Sequence, residues 1–324
     1  MQATHASEQA GSLSNFHFKL SAEQRRLVGD VRAVVQGEFK PRGEQFMNGA
    51  FPWPNIRKLA EMGILGMAVP KAYGGMELGV FETALVLEEI AKGCYVTAMA
   101  VLGEVGTQTR IIATYAPESI KQRLLPGVAK GEHLLSICMT EPHAGTDVGA
   151  YKTNVFRKAG KLVLNGAKSL VSRAEEASAF VVFSRVDGQP GGEGIGCVLV
   201  DRNTVGLSHK SRSHSMGGEY LHTIEFENCE LAEENLLLGP GSLKKLLSAF
   251  NTQRCLNPAI SLGISEGAFA EALSYARSRK AFGRSIGEFQ GMRWKLADMW
   301  REIEAARGLL YRACAGANPF PHPL

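Results

Sequence analysis

The sequence predicts an α+β fold in three parts: an N-terminal helical domain, a middle β-barrel domain and an incomplete C-terminal helical bundle. Three observations carry this. Apolar residues recur at helical spacing over 16–134, fall into short runs separated by turn residues over 135–238, and return to helical spacing over 239–324.

Residues 1–15 are polar, contain Glu8 and lack both arginine and an apolar segment, so they read as a disordered lead-in and not as a signal or transit peptide. Ser21 and Gln24 have the spacing of a capping box. Leu27, Val31, Val34 and Val35 then follow a helical period, which Pro41 is expected to end. Pro54 suits the first position of a short helix carrying Ile56 and Leu59 and closed by Gly63. The stretch Val69 to Gly75 reads as a turn. Helices are expected over 81–91 and 96–115, and another from Pro117 that stops before Pro126. Beyond Leu134, Val155-Phe156 and Leu162-Val163-Leu164 flank an Ala159-Gly160 turn, and Asn165-Gly166 predicts a second reversal. Further strands are expected over 180–183, 195–200 and 223–226, with the glycine-rich 191–196 as a hairpin loop.

Helical spacing resumes at Leu243. Asn257-Pro258 interrupts the first long helix, removing a donor and crowding the carbonyl of Arg254, which predicts a kink that is either a neutral bend or a functional one. The last helix carries Phe289, Met292, Leu296, Met299, Ile303, Ala306, Leu310 and Ala313 as one stripe, which must pack on other helices. Only the proline-rich 316–324 follows it, so this domain is expected to be unfinished.

Composition narrows the function classes. Content that is 45% hydrophobic and 21% charged is ordinary for a soluble globular enzyme, and the net charge of +4 is mild. No basic run with interleaved aromatics points to nucleic acid, and no apolar run is long enough to span a bilayer. The six cysteines form no C-x-x-C pair and read as reduced thiols in a cytoplasmic protein. The eight histidines have no metal-ligand spacing, so no metal site is expected. Two G-x-S-x-G matches, Gly263–Gly267 and Gly283–Gly287, lack the preceding strand that a nucleophile elbow needs. Ser242 and Lys245 fit S-x-x-K, which is too short to carry weight alone.

Most chemical content lies in Cys138-Met139-Thr140-Glu141-Pro142-His143-Ala144-Gly145-Thr146-Asp147-Val148-Gly149-Ala150, where helices give way to strands. Its hydroxyls and glycines offer O–H and backbone N–H donors around a turn, although such a segment alone is also an ordinary loop. In context it resembles the signature of the acyl-CoA dehydrogenase family. Pro70 to Gly75, Tyr115 to Glu132, Met216 to Asn235 and Arg279 to Gln290 resemble further segments of that family in the same order, so the resemblance covers nearly the whole chain.

The resemblance implies FAD as cofactor and an acyl-CoA thioester as substrate, with loss of the α-proton and transfer of a β-hydride to flavin N5. It also implies an electron-transferring flavoprotein as partner, and a homodimer or homotetramer when the C-terminus is complete. By position it assigns FAD contacts to Ile137, Met139, Thr140, Gly145, Thr146, Leu170 and Ser172. Arg279, Phe282 and Gln290 would face the FAD of a neighbouring subunit, and Thr146, Asn251 and Arg254 the substrate. Leu170 stands where the family has an aromatic residue, and apart from the resemblance Arg279 and Lys280 read as a solvated helix end. No catalytic base can be named. Most members carry the carboxylate beyond Leu324, and a minority carry it where this chain has Gln253, an amide that cannot accept the proton. Three readings stay open: a dehydrogenase completed outside this sequence, related flavin chemistry without a carboxylate base such as desulfination, and a truncated non-catalytic remnant.

Overall fold

Helices, strands and helices follow one another along the chain. The computed structural model describes residues 20–317, so the lead-in and most of the proline-rich tail lie outside the described residues. Helix α1 spans Ala22–Val34 and opens on the reciprocal capping box of Ser21 and Gln24. It does not end at Pro41. A π turn over Val35–Phe39 intervenes, in which the Lys40 N–H reaches back to the Val35 carbonyl. This shift places Pro41 in the first turn of a short continuation, Lys40–Arg42, where its missing donor is not needed.

Helices α2 (Trp53–Glu61), α3 (Val80–Gly93), α4 (Tyr95–Val105), α5 (Thr107–Tyr115) and α6 (Glu118–Ala129) follow. The apolar run over 96–115 is two helices, broken at Gly106, whose backbone (φ −87°, ψ −148°) is not helical. Contrary to expectation, α6 continues through Pro126. The burial of Leu124, Leu125, Val128 and Ala129 on both sides of it offsets the lost hydrogen bond.

Strands β1 (Leu135–Cys138), β2 (Asn154–Lys158), β3 (Lys161–Ser172), β4 (Ala179–Val186), β5 (Ile195–Asp201), β6 (Leu207–His214), β7 (Tyr220–Leu231) and β8 (Leu236–Leu238) make one sheet. Its order is β6-β7-β3-β2-β4-β5-β8, with β1 parallel to β4. The Ala159-Gly160 turn joins β2 to β3 with both residues at positive φ. Asn165-Gly166 is not a reversal. The strand runs on through it, opposite a bulge in the paired strand β7 where Glu227 and Asn228 face Asn165, and Gly166 at φ +141° is packed so closely that a Cβ would lie 2.5 Å from the Cα of Thr153. In β4, Val181 and Phe183 face the helices while Phe180 and Val182 face a second core enclosed by the sheet, so the strand is an unbroken apolar run.

The chain closes with α7 (Leu243–Ser278), a small hairpin of β9 (Lys280–Ala281) and β10 (Arg284–Ser285), and α8 (Gln290–Ala315). Pro258 does not interrupt α7, because Leu256, Ala259, Ile260 and Leu262 bury the helix on either side of it. Gly263 and Gly267, one of the G-x-S-x-G matches, have a packing explanation. A Cβ at either would lie 2.2 Å from the Glu88 carbonyl oxygen or 2.7 Å from that of Lys92, so these glycines let α7 press against α3. The apolar stripe of α8 is only partly used. Ile303 and Leu310 are buried, and together with the exposed Met299 and Ala306 they line an open groove of about 830 Å³ between α7 and α8.

Candidate functional site

The segment from Thr140 to Asp147 is built on a buried ion pair. Lys168 Nζ donates to Glu141 Oε1 and to the Met139 carbonyl, each at 2.9 Å. Glu141 also accepts from the backbone N–H groups of Lys152 (2.7 Å) and Thr153 (3.0 Å). The Lys168 ammonium lies 3.8 Å from the centre of the Tyr151 ring. Burial pushes the Lys168 pKa down to about 8 against the pull of Glu141. Burial also opposes ionisation of Glu141, but the adjacent ammonium and amides outweigh it and hold its pKa below the usual value. Reciprocal backbone bonds between Glu141 and Ala144 then close the turn.

This scaffold brings the first group of expected site residues together. Ile137 lies on β1, and Met139 and Thr140 follow that strand. The Thr140 carbonyl accepts from Ser169 N–H at 2.8 Å, and Ser136 Oγ donates to the Ser172 carbonyl at 2.7 Å. Between Lys168 and Val171 a bulge in β3 turns Leu170 outward, at φ +56° and 58% exposed. A leucine held in the left-handed region and presented to solvent is strained, a pattern that concentrates at ligand sites. Gly145 and Thr146 form the exposed rim of the same loop. Among the described residues, the hydroxyls of Thr140, Thr146 and Ser172 have no hydrogen-bond partner. An apolar platform ringed by uncommitted hydroxyls and loop amides fits an aromatic heterocycle carrying a pyrophosphate, as FAD does.

The second group lies elsewhere. Arg279, Phe282 and Gln290 mark the corner between α7 and α8, which packs on those two helices. Phe282 is at φ +51° and 96% exposed, on a hairpin anchored where Ser285 Oγ donates to the Ala276 carbonyl at 2.7 Å. Asn251 and Arg254 are exposed on α7 and meet each other, Arg254 Nη1 donating to Asn251 Oδ1. Beside them, Thr107 Oγ1 donates to Gln253 Oε1 at 2.6 Å. That commits the amide oxygen and leaves Nε2 without a hydrogen-bond partner among the described residues.

Sequence reasoning missed the scaffold. Lys168 shares the inward face of β3 with Leu162 and Leu164, and a lysine at an inward position requires a carboxylate partner. That alternation was the available signal. Among the described residues no group of His, Cys, Asp or Glu could hold a metal ion, and no helix is long and apolar enough to cross a membrane.

Residues 21–132, 136–229 and 243–319 match the models of the acyl-CoA dehydrogenase N-terminal, middle and C-terminal domains. The chain is 33% identical to a 3-sulfinopropanoyl-CoA desulfinase of Cupriavidus necator, over 94% of this chain and 79% of that protein. It is also 33% identical to a short-chain-specific acyl-CoA dehydrogenase of Clostridium acetobutylicum, over 91% of this chain and 79% of that one. Among solved structures it superposes on a glutaryl-coenzyme A dehydrogenase in complex with glutaryl-CoA at a TM-score of 0.87, with 29% identity over 92% of this chain and 78% of that chain. The butyryl-CoA dehydrogenase of Megasphaera elsdenii gives a TM-score of 0.86, with 27% identity over 92% and 80%.

Proposed function

Since the chain belongs to the acyl-CoA dehydrogenase family, whose members are FAD-dependent oxidoreductases, we propose that it binds FAD on the β1–β3 cradle and an acyl-CoA thioester between that cradle and α7. The observation that carries this reading is the exposed, strained Leu170 set among the unpartnered hydroxyls of Thr140 and Ser172. Thr140 and Ser172 hold the flavin ring, and Ile137, Met139 and Leu170 pack against it. Gly145 and Thr146 approach the phosphates or the substrate's pantetheine, and Asn251 with Arg254 holds the substrate. Arg279, Phe282 and Gln290 reach the FAD of a second copy in a homodimer or homotetramer. When bound, FAD supplies the hydride acceptor and passes electrons to an electron-transferring flavoprotein. Hydrogen-bond donors lining the site stabilise the negative charge that develops on the thioester carbonyl.

Gln253 cannot take the α-proton, and its Nε2 is a donor. This favours a second reading, desulfination of a 3-sulfinoacyl-CoA, in which an amide donor suits an anionic substrate group. Anaerobic flavin bleaching separates the two. With saturated acyl-CoAs the wild-type chain is expected to bleach slowly, and Gln253→Glu to gain part of the hundredfold to ten-thousandfold that general-base assistance is worth, about two to four orders of magnitude. Rapid bleaching by the wild type would mean that a base exists elsewhere. Sulfite release from a 3-sulfinoacyl-CoA by the wild type would decide for desulfination.

A further inference from the structure

Outside the residues already assigned, the most deeply buried charge pair in contact with both halves of the cradle is Glu104 with Arg173. Glu104 lies on α4 in the N-terminal helical layer, its carboxylate fully buried. Oε1 accepts from Arg173 Nη1 at 2.9 Å, and both carboxylate oxygens lie within 3.2 Å of the backbone N–H of Leu135. Leu135 is the first residue of β1, the strand that leads to Ile137, Met139 and Thr140. Arg173 follows Ser172 directly and lies three residues beyond Leu170, at φ +55°. One carboxylate therefore holds the start of one cradle strand and the exit of the other.

The fit is specific to this guanidinium. Arg173 Nη1 donates a second bond to the Ala100 carbonyl at 2.9 Å, so the group lies flat along α4. Only a glycine at 103 leaves room for it, since a Cβ there would fall 1.5 Å from Nη1. Arg173, Ser172 and Leu170 share one short stretch of backbone, with both Leu170 and Arg173 in the left-handed region. Release of Arg173 from Glu104 removes the restraint on that conformation.

We propose that Glu104 and Arg173 are positioning residues for the flavin cradle, and that FAD affinity depends on the ionised pair. The inference rests on the FAD reading given above. Arg173 and the Leu135 amide face the Glu104 carboxylate directly. On its other side Arg173 faces Glu219, in a cavity also lined by Glu175, Glu176, Arg212 and His222. Burial raises the Glu104 pKa to about 7, against Arg173 and the Leu135 amide, so its charge changes near neutrality.

The test is titration of the full chain with FAD, followed by quenching of flavin fluorescence from about pH 5.5 to about pH 8.5, with melting recorded at each pH. Wild-type affinity is expected to weaken about tenfold as the pH falls through this range, tracking one proton. Glu104→Gln keeps the shape and the acceptor oxygen but carries no charge, so it should hold the weakened affinity at every pH. Arg173→Lys keeps the charge without the planar fork, and should bind FAD more weakly than wild type while retaining a pH dependence. A wild-type affinity that does not change with pH would overturn the proposal. So would a Glu104→Gln protein that melts lower but binds FAD with the wild-type profile, since the pair would then be structural only. A wild-type chain that binds no FAD at any pH would overturn the cradle reading itself, and this inference with it.

Discussion

Arg110 on α5 is 1% exposed, with Nε and Nη2 lacking a partner among the described residues, and burial alone lowers its pKa to about 10. An uncompensated buried cation costs more than an apolar side chain of similar volume. Arg110→Met should therefore stabilise the chain by about 1–4 kcal/mol, read as a higher urea midpoint at unchanged slope. A lower midpoint would mean that the guanidinium is engaged. Glu104 gives a prediction with a definite sign. Its folded pKa of about 7 lies above the ordinary 4.5, so the stabilisation from its protonated form is complete below the unfolded value and is lost as the pH rises through 7. The loss is of the order of 3 kcal/mol, and the slope of melting temperature against pH should flatten in Glu104→Gln. Neither residue drew notice in the sequence, where an arginine among threonines or a glutamate in an apolar helix looks like surface. The hydroxyl positions were legible because their motif is contiguous. Lys168, Glu104 and Arg173 were not, because their partners lie 27 and 69 residues away.

At the scale of elements, Gly166 shows how one signal serves two structures. Asn-Gly marks positive φ, and both hairpin turns and bulges need it, so the dipeptide announced a departure from regular strand without saying which. Gly166→Ala should cost about 2–3 kcal/mol by urea unfolding, because it combines a φ of +141° with a contact to Thr153 that has no room for a Cβ. An almost neutral substitution would mean that β3 and Thr153 can move apart. Pro41, Pro126 and Pro258 were each read as stops or interruptions from local propensity; Pro126 and Pro258 were overridden by burial of neighbouring turns, and Pro41 by the π turn that brings it to a helix start. β6 escaped detection for the opposite reason. Its Leu207–His214 residues are half-buried or exposed, so the strand has no apolar period and is defined by pairing to β7 alone. The capping box at Ser21 was legible because everything it needs lies within four residues.

On the scale of the whole molecule, a partly buried ion network ties the first and last helical parts of the chain together. Arg307 on α8 reaches Glu88 on α3 at 3.3 Å, and Tyr311 donates to the same carboxylate at 2.8 Å. Lys92 joins Glu89 to Glu266 of α7, at 2.9 Å each, and Arg32 of α1 reaches Glu89 at 2.9 Å. Burial raises the Glu88 pKa even against Arg307 and Lys92. Arg307→Met should leave that carboxylate undercompensated and destabilise the chain by about 3–5 kcal/mol. In hydrogen exchange the amides of α8 should lose protection ahead of α3; uniform loss would show that the helices unfold as one unit. The helix–strand–helix order was readable from hydrophobic period alone. The network was not, since Arg307 and Glu88 are 219 residues apart and nothing local links them.

The close packing of α7 on α3 has a consequence during synthesis. Ala84 to Ala91 of α3 are all buried, and α7 supplies much of their cover. Yet α7 begins about 150 residues later in the chain, so at roughly 5–20 residues per second the apolar surface of α3 waits about 8 to 30 seconds on the ribosome. A nascent chain paused just before Leu243 holds all its helices up to α6 and every strand of the sheet, but presents an open apolar face to chaperones, and translation through α7 is the step that closes it.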